Sequence, residues 1–172
     1  MFLTCWRSAC YTSVFRYGID SCSQPQFPAR KAAPFVTEQT TRLVFPSHIE
    51  AVADAAAAAT DFARSCGIGD QTAFGIEAAV REAVTNAVVH GNKEDEGKTV
   101  EVIFNCLEHR VEIEVKDQGE GFDPNGVPDP TTAENILKTS GRGIFLMRAF
   151  MDDINWSPRA EGGTIVRMVK KF

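Results

Sequence analysis

Residues 81–92 read REAVTNAVVHGN. It closes a segment that opens at Asp70, a good N-cap, and that carries Phe74, Ala78, Val84, Ala87 and Val88 at helical spacing until Gly91 stops it. Glu82 and Asn86 are four residues apart within it, so both project from one helix face about one turn apart.

Upstream, Leu43, Val44 and Phe45 predict a short strand that ends at Pro46. Ser47 and Glu50 have the spacing of a capping box, and Ile49, Val52, Ala53, Ala56 and Ala63 predict a first helix up to Gly67. Downstream, Thr99 to Cys106 and Arg110 to Lys116 predict two strands joined by a tight turn near Glu108. Val111, Ile113 and Val115 alternate with Glu112, Glu114 and Lys116, the pattern of a sheet with one wet face. A long Gly- and Pro-rich loop follows, from Gly119 to Gly141, with a capping signal at Thr131 and Glu134 and a short helix through Leu137. Loops of that length are usually functional, so residues 121–141 are expected to act as a mobile lid. A third helix starts near Gly143 with Ile144, Met147 and Phe150 inward. Strands around Ile154 to Trp156 and Thr164 to Val169 close the chain. The expected class is α+β: a two-layer sandwich of one mixed, mostly antiparallel sheet with helices on a single face.

Residues 1–38 lack sustained periodicity and are expected to be a disordered tail or a mis-called start; residues 39–172 form the domain. The chain's 172 residues, 44% of them hydrophobic and 24% charged, are enough for one domain with a real core. A formal charge of −5 disfavours direct nucleic-acid binding. No apolar run approaches the ~18 residues that span a bilayer. The five cysteines form no CxxC pair, so free thiols and a cytoplasmic location are expected, with structural roles for Cys66 and Cys106.

Three motifs carry the chemistry. Asn86 offers a neutral oxygen suited to Mg²⁺, a hard cation that takes few protein ligands, and Glu82 can orient or deprotonate an attacking group. The E-x-x-x-N pattern alone arises by chance in about a third of chains this long. In KDQGEGFDP, residues 116–124, Asp117 ends a strand where its carboxylate can accept a hydrogen bond from an exocyclic amine such as that of adenine. Gly119 and Gly121 let the backbone approach a flat base. In TSGRGIFLM, residues 139–147, Gly141 and Gly143 open a helix whose free N–H groups favour phosphate. Thr164, after Gly162 and Gly163, is either a simple strand former or a hydroxyl supporting Asp117 beside the base. The order of the three makes ATP the leading ligand.

In these motifs the chain resembles the Bergerat-fold (GHKL, histidine-kinase-like) ATPases, and within them the small anti-sigma factor serine/threonine kinases of the RsbW type. REAVTNAVVHGN is similar to that family's N box, DQGEGF to its first glycine box, SGRGIFLM to its second and GGT to its final strand. The resemblance covers about Thr41 to Phe172. It implies that Glu82 is the general base, Asn86 the Mg²⁺ ligand and Asp117 the adenine-recognition residue. Gly119, Gly121, Gly141 and Gly143 would bound the lid and phosphates, with Thr164 near the adenine. Some members carry an arginine just before the second glycine box; this chain has Thr139 there and Arg142 inside the box, so Arg142 joins the nucleotide set. The resemblance also implies a kinase that phosphorylates a serine or threonine of an anti-anti-sigma (STAS-type) partner and, as a homodimer, sequesters a sigma factor. The alternatives are a nucleotide-dependent partner-binding module with little kinase activity and a detached histidine kinase catalytic domain.

Overall fold

The alternation of apolar and charged residues in the central hairpin sets the architecture. In the computed structural model, which describes residues 38–121 and 142–172, the hairpin consists of β2 (Thr99–Leu107) and β3 (Arg110–Lys116), turning at Glu108 and His109. Val100, Val102, Phe104 and Cys106 of β2 and Val111, Ile113 and Val115 of β3 are buried on one face. β1 (Gln39–Pro46) pairs with β2 along its whole length, Gln39 opposite Cys106 and Pro46 opposite Thr99. That pairing makes β1 longer than its three apolar residues predict. Beyond β3 lie β5 (Thr164–Lys171) and then β4 (Asp153–Pro158), giving the order β1-β2-β3-β5-β4. All four of these pairings are antiparallel.

Among the described residues three helices cover the buried face: α1 (Ala51–Ser65), α2 (Asp70–Thr85) and α3 (Arg142–Phe150). Small side chains let them approach closely. Ala55, Ala56, Ala59 and Ala63 of α1 and Ala73, Ala79 and Ala83 of α2 are all buried. A glycine within a helix costs up to ~1 kcal/mol, but Gly75 gives α3 its seat, since a Cβ there would lie 3.1 Å from the Phe150 ring. Phe62 of α1 stacks on Phe104 of β2 with centroids 5.2 Å apart. Cys66 and Cys106 are buried free thiols; burial and the neighbouring Cys106 push Cys66 up to about 12. It therefore behaves as a small apolar group, as expected.

Local signals misplace several positions. The capping box does not form: the Ser47 N–H donates to the Lys98 carbonyl (3.2 Å), which holds Ser47 in the end of the sheet rather than at the helix. The chain enters α1 instead through i→i−3 bonds such as Ala51 N–H to His48 O (3.1 Å), and no side chain caps it. Ile49 and Ala53 are consequently exposed. Gly69, not Asp70, is the N-cap of α2. Phe74, expected inside, is 62% exposed and meets Phe150 edge to face, while Ala78 is half-buried. The buried face of α2 is Ala73, Ile76, Ala79, Val80, Ala83 and Val84. The helix then widens into a π turn over Asn86–Gly91, closed by Asn92 N–H donating to Ala87 O (2.7 Å). Such turns occur frequently at functional sites. The expected N-terminal tail, Glu38 aside, and the expected helix within residues 131–137 lie outside the described residues.

On the wet face, Arg167 of β5 donates to Glu112 Oε2 (2.6 Å) and Arg110 to Glu112 Oε1 (2.7 Å). These two guanidinium groups, Arg167 first, hold the Glu112 carboxyl below its ordinary range. A carboxylate with a lowered folded pKa contributes stability above its unfolded value of about 4.3, lost as pH falls through the lower folded value. In melts taken from about pH 5 downward, the wild type should lose more stability than Glu112→Gln. Parallel curves would show that the triad is energetically silent.

Candidate functional site

The glycines around Asp117 limit where its carboxylate can point. Asp117 follows β3 directly, is 5% exposed, and its N–H donates to Thr164 O (3.0 Å), extending the β3–β5 pairing. Its Oδ1 accepts the N–H of Gly119 (2.8 Å) and of Thr164 (3.1 Å). Among the described residues no group donates to Oδ2. Three glycines enclose this carboxylate. A Cβ on Gly91 would lie 2.6 Å from Asp117 Cγ, one on Gly119 would run into the Gly91 carbonyl, and one on Gly163 would run into the Asp117 carbonyl. Gly163 also has φ +106°, a backbone conformation open mainly to glycine.

Asp117 lines a cleft together with Ala83, Asn86, Ala87, His90, Gly91, Trp156, Thr164 and Val166, with about 390 Å³ of space when open solvent is included. Ala83, Ala87, Val166 and Trp156 supply apolar walls that suit a flat ring. The polar groups are few and convergent, the usual character of a small-molecule site. Thr164 is 3% exposed and its Oγ1 is buried without a hydrogen-bond partner among the described residues. A buried hydroxyl left unpaired costs about 1–3 kcal/mol, so a ligand or water reaching it would recover that loss. The side-chain amide of Asn86 likewise has no hydrogen-bond partner among the described residues and is free to coordinate.

Glu82 stands one turn before Asn86 on the same helix. It does not line the cleft beside Asp117; its carboxylate packs against Gly143, so that a Cβ on Gly143 would collide with Glu82 Oε2. The structure thus brings Glu82 to the start of α3, where backbone N–H groups favour negative charge. Arg142 is the exposed first residue of α3. Gly121 has φ +101° and open space around it. Gly141 and most of the expected lid lie outside the described residues.

Three contributors were missed at the sequence level. Trp156 walls the cleft, with the Arg148 guanidinium 5.7 Å from its ring centroid; a lone tryptophan in a strand carries no motif. His90, in the last turn before Gly91, also lines the cleft. Asn92 is fully buried and bonds across two elements. Its one signal was an amide directly after the Gly91 stop.

Among groups of three or more His, Cys, Asp or Glu, the described residues contain none placed to hold a metal. The donor set fits an ion that takes one neutral protein oxygen and completes its shell from a ligand and water, as Mg²⁺ commonly does. No helix among the described residues is long and apolar enough to cross a membrane.

Known proteins resemble the chain over the same region. Over 99 residues it is 35% identical to the anti-sigma F factor of Clostridium botulinum (strain Eklund 17B / Type B), covering 56% of this chain and 69% of that protein. It is 35% identical over 101 residues to the serine-protein kinase RsbW of Bacillus subtilis (strain 168), covering 55% of this chain and 62% of that one. Among solved structures, the RsbU and RsbW domains of Rv1364c from Mycobacterium tuberculosis share the fold with a TM-score of 0.57 at 18% identity. That match covers 77% of this chain but 32% of the larger one. The histidine kinase-like ATPase domain family matches residues 45–170, which contain Glu82, Asn86, Asp117 and Thr164, and the chain belongs to that family.

Proposed function

We propose that this protein is an ATP-dependent anti-sigma regulator of the cytoplasm that phosphorylates a serine or threonine of an anti-anti-sigma, STAS-type partner and holds a sigma factor. The observation that carries the reading is the spacing of groups along one helix. Asn86 and His90 line the cleft that Asp117 and Thr164 close, while Glu82, a turn earlier, lies against the start of α3. A nucleotide whose base meets Asp117 and whose phosphates run toward α3 passes Asn86 on the way. The similarity to anti-sigma F factors and to RsbW serine-protein kinase supports the partner class.

In this reading the adenine ring lies between Ala87, Val166 and Trp156, and its 6-amino group donates to Asp117 Oδ2. Guanine presents a carbonyl at that position and would face the carboxylate with like charge. Asn86 holds Mg²⁺, which when bound neutralises charge on the phosphates. Gly119, Gly121, Gly141, Arg142 and Gly143 border the phosphate region. Glu82 accepts the proton of the partner's hydroxyl as that oxygen bonds to the γ-phosphorus, and the bond from phosphorus to the bridging oxygen of ADP breaks. Residues 39–172 constitute the working domain, and residues 1–38 take no part.

Asp117→Asn should weaken ATP binding about 10- to 100-fold, the range of a charge-assisted hydrogen bond, without unfolding the domain. The amide oxygen can still accept from Gly119 and Thr164, but its NH₂ group then opposes the adenine amine, donor against donor. Calorimetric titration showing equal affinity of the wild type for ATP and GTP would sink the adenine assignment. The whole reading is tested by co-purifying the tagged protein with its cellular partners, then following labelled phosphate from ATP. Label on a serine or threonine of a STAS-type partner supports it. A partner that binds without ever becoming labelled contradicts the kinase part.

A further inference from the structure

Asp117 is gripped by more than the cage of glycines. Gln118, the next residue, donates its backbone N–H to Asn92 Oδ1 (2.7 Å). Asn92 Nδ2 donates to the Thr99 carbonyl (3.0 Å), and Thr99 N–H donates back to Gln118 Oε1 (2.8 Å). Asn92 also closes the π turn through its own N–H. One fully buried amide therefore joins the helix wall of the cleft, the start of β2 and the peptide that follows Asp117. The two residues just after it, Lys93 and Glu94, both have positive φ, 61° and 56°. Residues with side chains adopt that conformation at a cost, which surrounding contacts must offset.

We propose that Asn92 is a positioning residue for base recognition, holding the Asp117–Gly119 segment so that the Asp117 carboxylate presents Oδ2 to the ligand's exocyclic amine. The inference rests on the nucleotide reading above. Gly119 N–H orients Asp117 through Oδ1, and the Gln118 peptide that carries Gly119 is held by Asn92. When the Asn92 bond is lost, Gly119 is free to shift and the carboxylate loses one of its two backbone donors. Asn92 touches no ligand itself.

The readout is discrimination rather than affinity. ATP and purine riboside triphosphate differ only in the 6-amino group, so the ratio of their dissociation constants reports the bond to Asp117 alone. The wild type should prefer ATP by about 10- to 100-fold. Asn92→Ala should bring the ratio below about threefold. Asn92→Asp keeps the oxygen that accepts from Gln118 and should retain most of the preference, even if it melts lower. Wild-type indifference to the amine would overturn the nucleotide reading of Asp117. A wild-type preference that survives intact in Asn92→Ala, or that vanishes in Asn92→Asp, would overturn the role of Asn92.

Coupling is reciprocal, so the wild type alone supplies a check that needs no buried substitution. ATP should slow hydrogen exchange at the Gln118 amide several-fold more than purine riboside triphosphate does at equal saturation. Equal protection by the two would also refute the proposal.

Discussion

Glu82→Ala should lower phosphate transfer to the partner by about 10²–10⁴-fold, the usual worth of general-base assistance, while ATP affinity stays within a few-fold. The separation follows from where Glu82 sits. Its carboxylate lies against Gly143 at the start of α3 and outside the cleft that Asp117 and Thr164 close, so it gives nothing to the base. Asn86→Ala is the contrasting variant. It removes the amide that lines the cleft and should weaken Mg²⁺-dependent nucleotide binding as well as rate. Single-turnover transfer measured beside nucleotide titration distinguishes the two. Unchanged transfer by the Glu82 variant would leave a nucleotide-dependent partner-binding module, and the kinase proposal would be withdrawn.

Gly163→Ala should be a strongly destabilising single-methyl change. The new Cβ would lie 2.8 Å from the Asp117 carbonyl carbon and 2.9 Å from Oδ1, against backbone that β5 already holds. Overpacking costs about 1–3 kcal/mol, and forcing φ +106° on a residue with a Cβ adds about 1–3 kcal/mol. A loss of about 3 kcal/mol or more should lower the melting temperature by roughly 10 °C or more in a domain of this size. Nucleotide binding should fall with it, because Asp117 must move. Gly67→Ala is the control: its φ is also positive, +76°, but a Cβ there meets nothing within 4 Å. It should cost only the conformational part. If the two variants melt together, crowding at Asp117 is not what requires glycine.

Much of this molecule was legible as patterning. The period-2 alternation of Val111, Ile113 and Val115 depends only on the pleat, so β3 and its buried face could be read without knowing its neighbours. Asp117, Asn86 and Thr164 were legible for another reason: each stands in a short motif at the end or on the face of an element. The misreadings share one cause. Ser47 has the composition of a helix cap, but its N–H was taken by Lys98, fifty-one residues away in the chain. Phe74 has the composition of a core residue. Yet the space beneath α2 is filled by Ile76, Val80 and Val84 on the face that meets α1 and the sheet, and Phe74 lies at the margin beside Phe150.

By itself, then, the amino-acid sequence determined the element types, the wet and dry faces of the hairpin and the residue types available for chemistry, because all of these depend on neighbours within a turn or a pleat. Tertiary structure alone decided how they meet. The register that pairs Lys116 with Ile165 puts Thr164 beside Asp117. The order β3-β5-β4 carries Trp156 to the cleft. The Asn92 bonds, reaching across seven and twenty-six residues, tie the π turn to the strand end that carries the Asp117 carboxylate. Those are long-range hydrogen bonds, and no local period encodes a long-range partner.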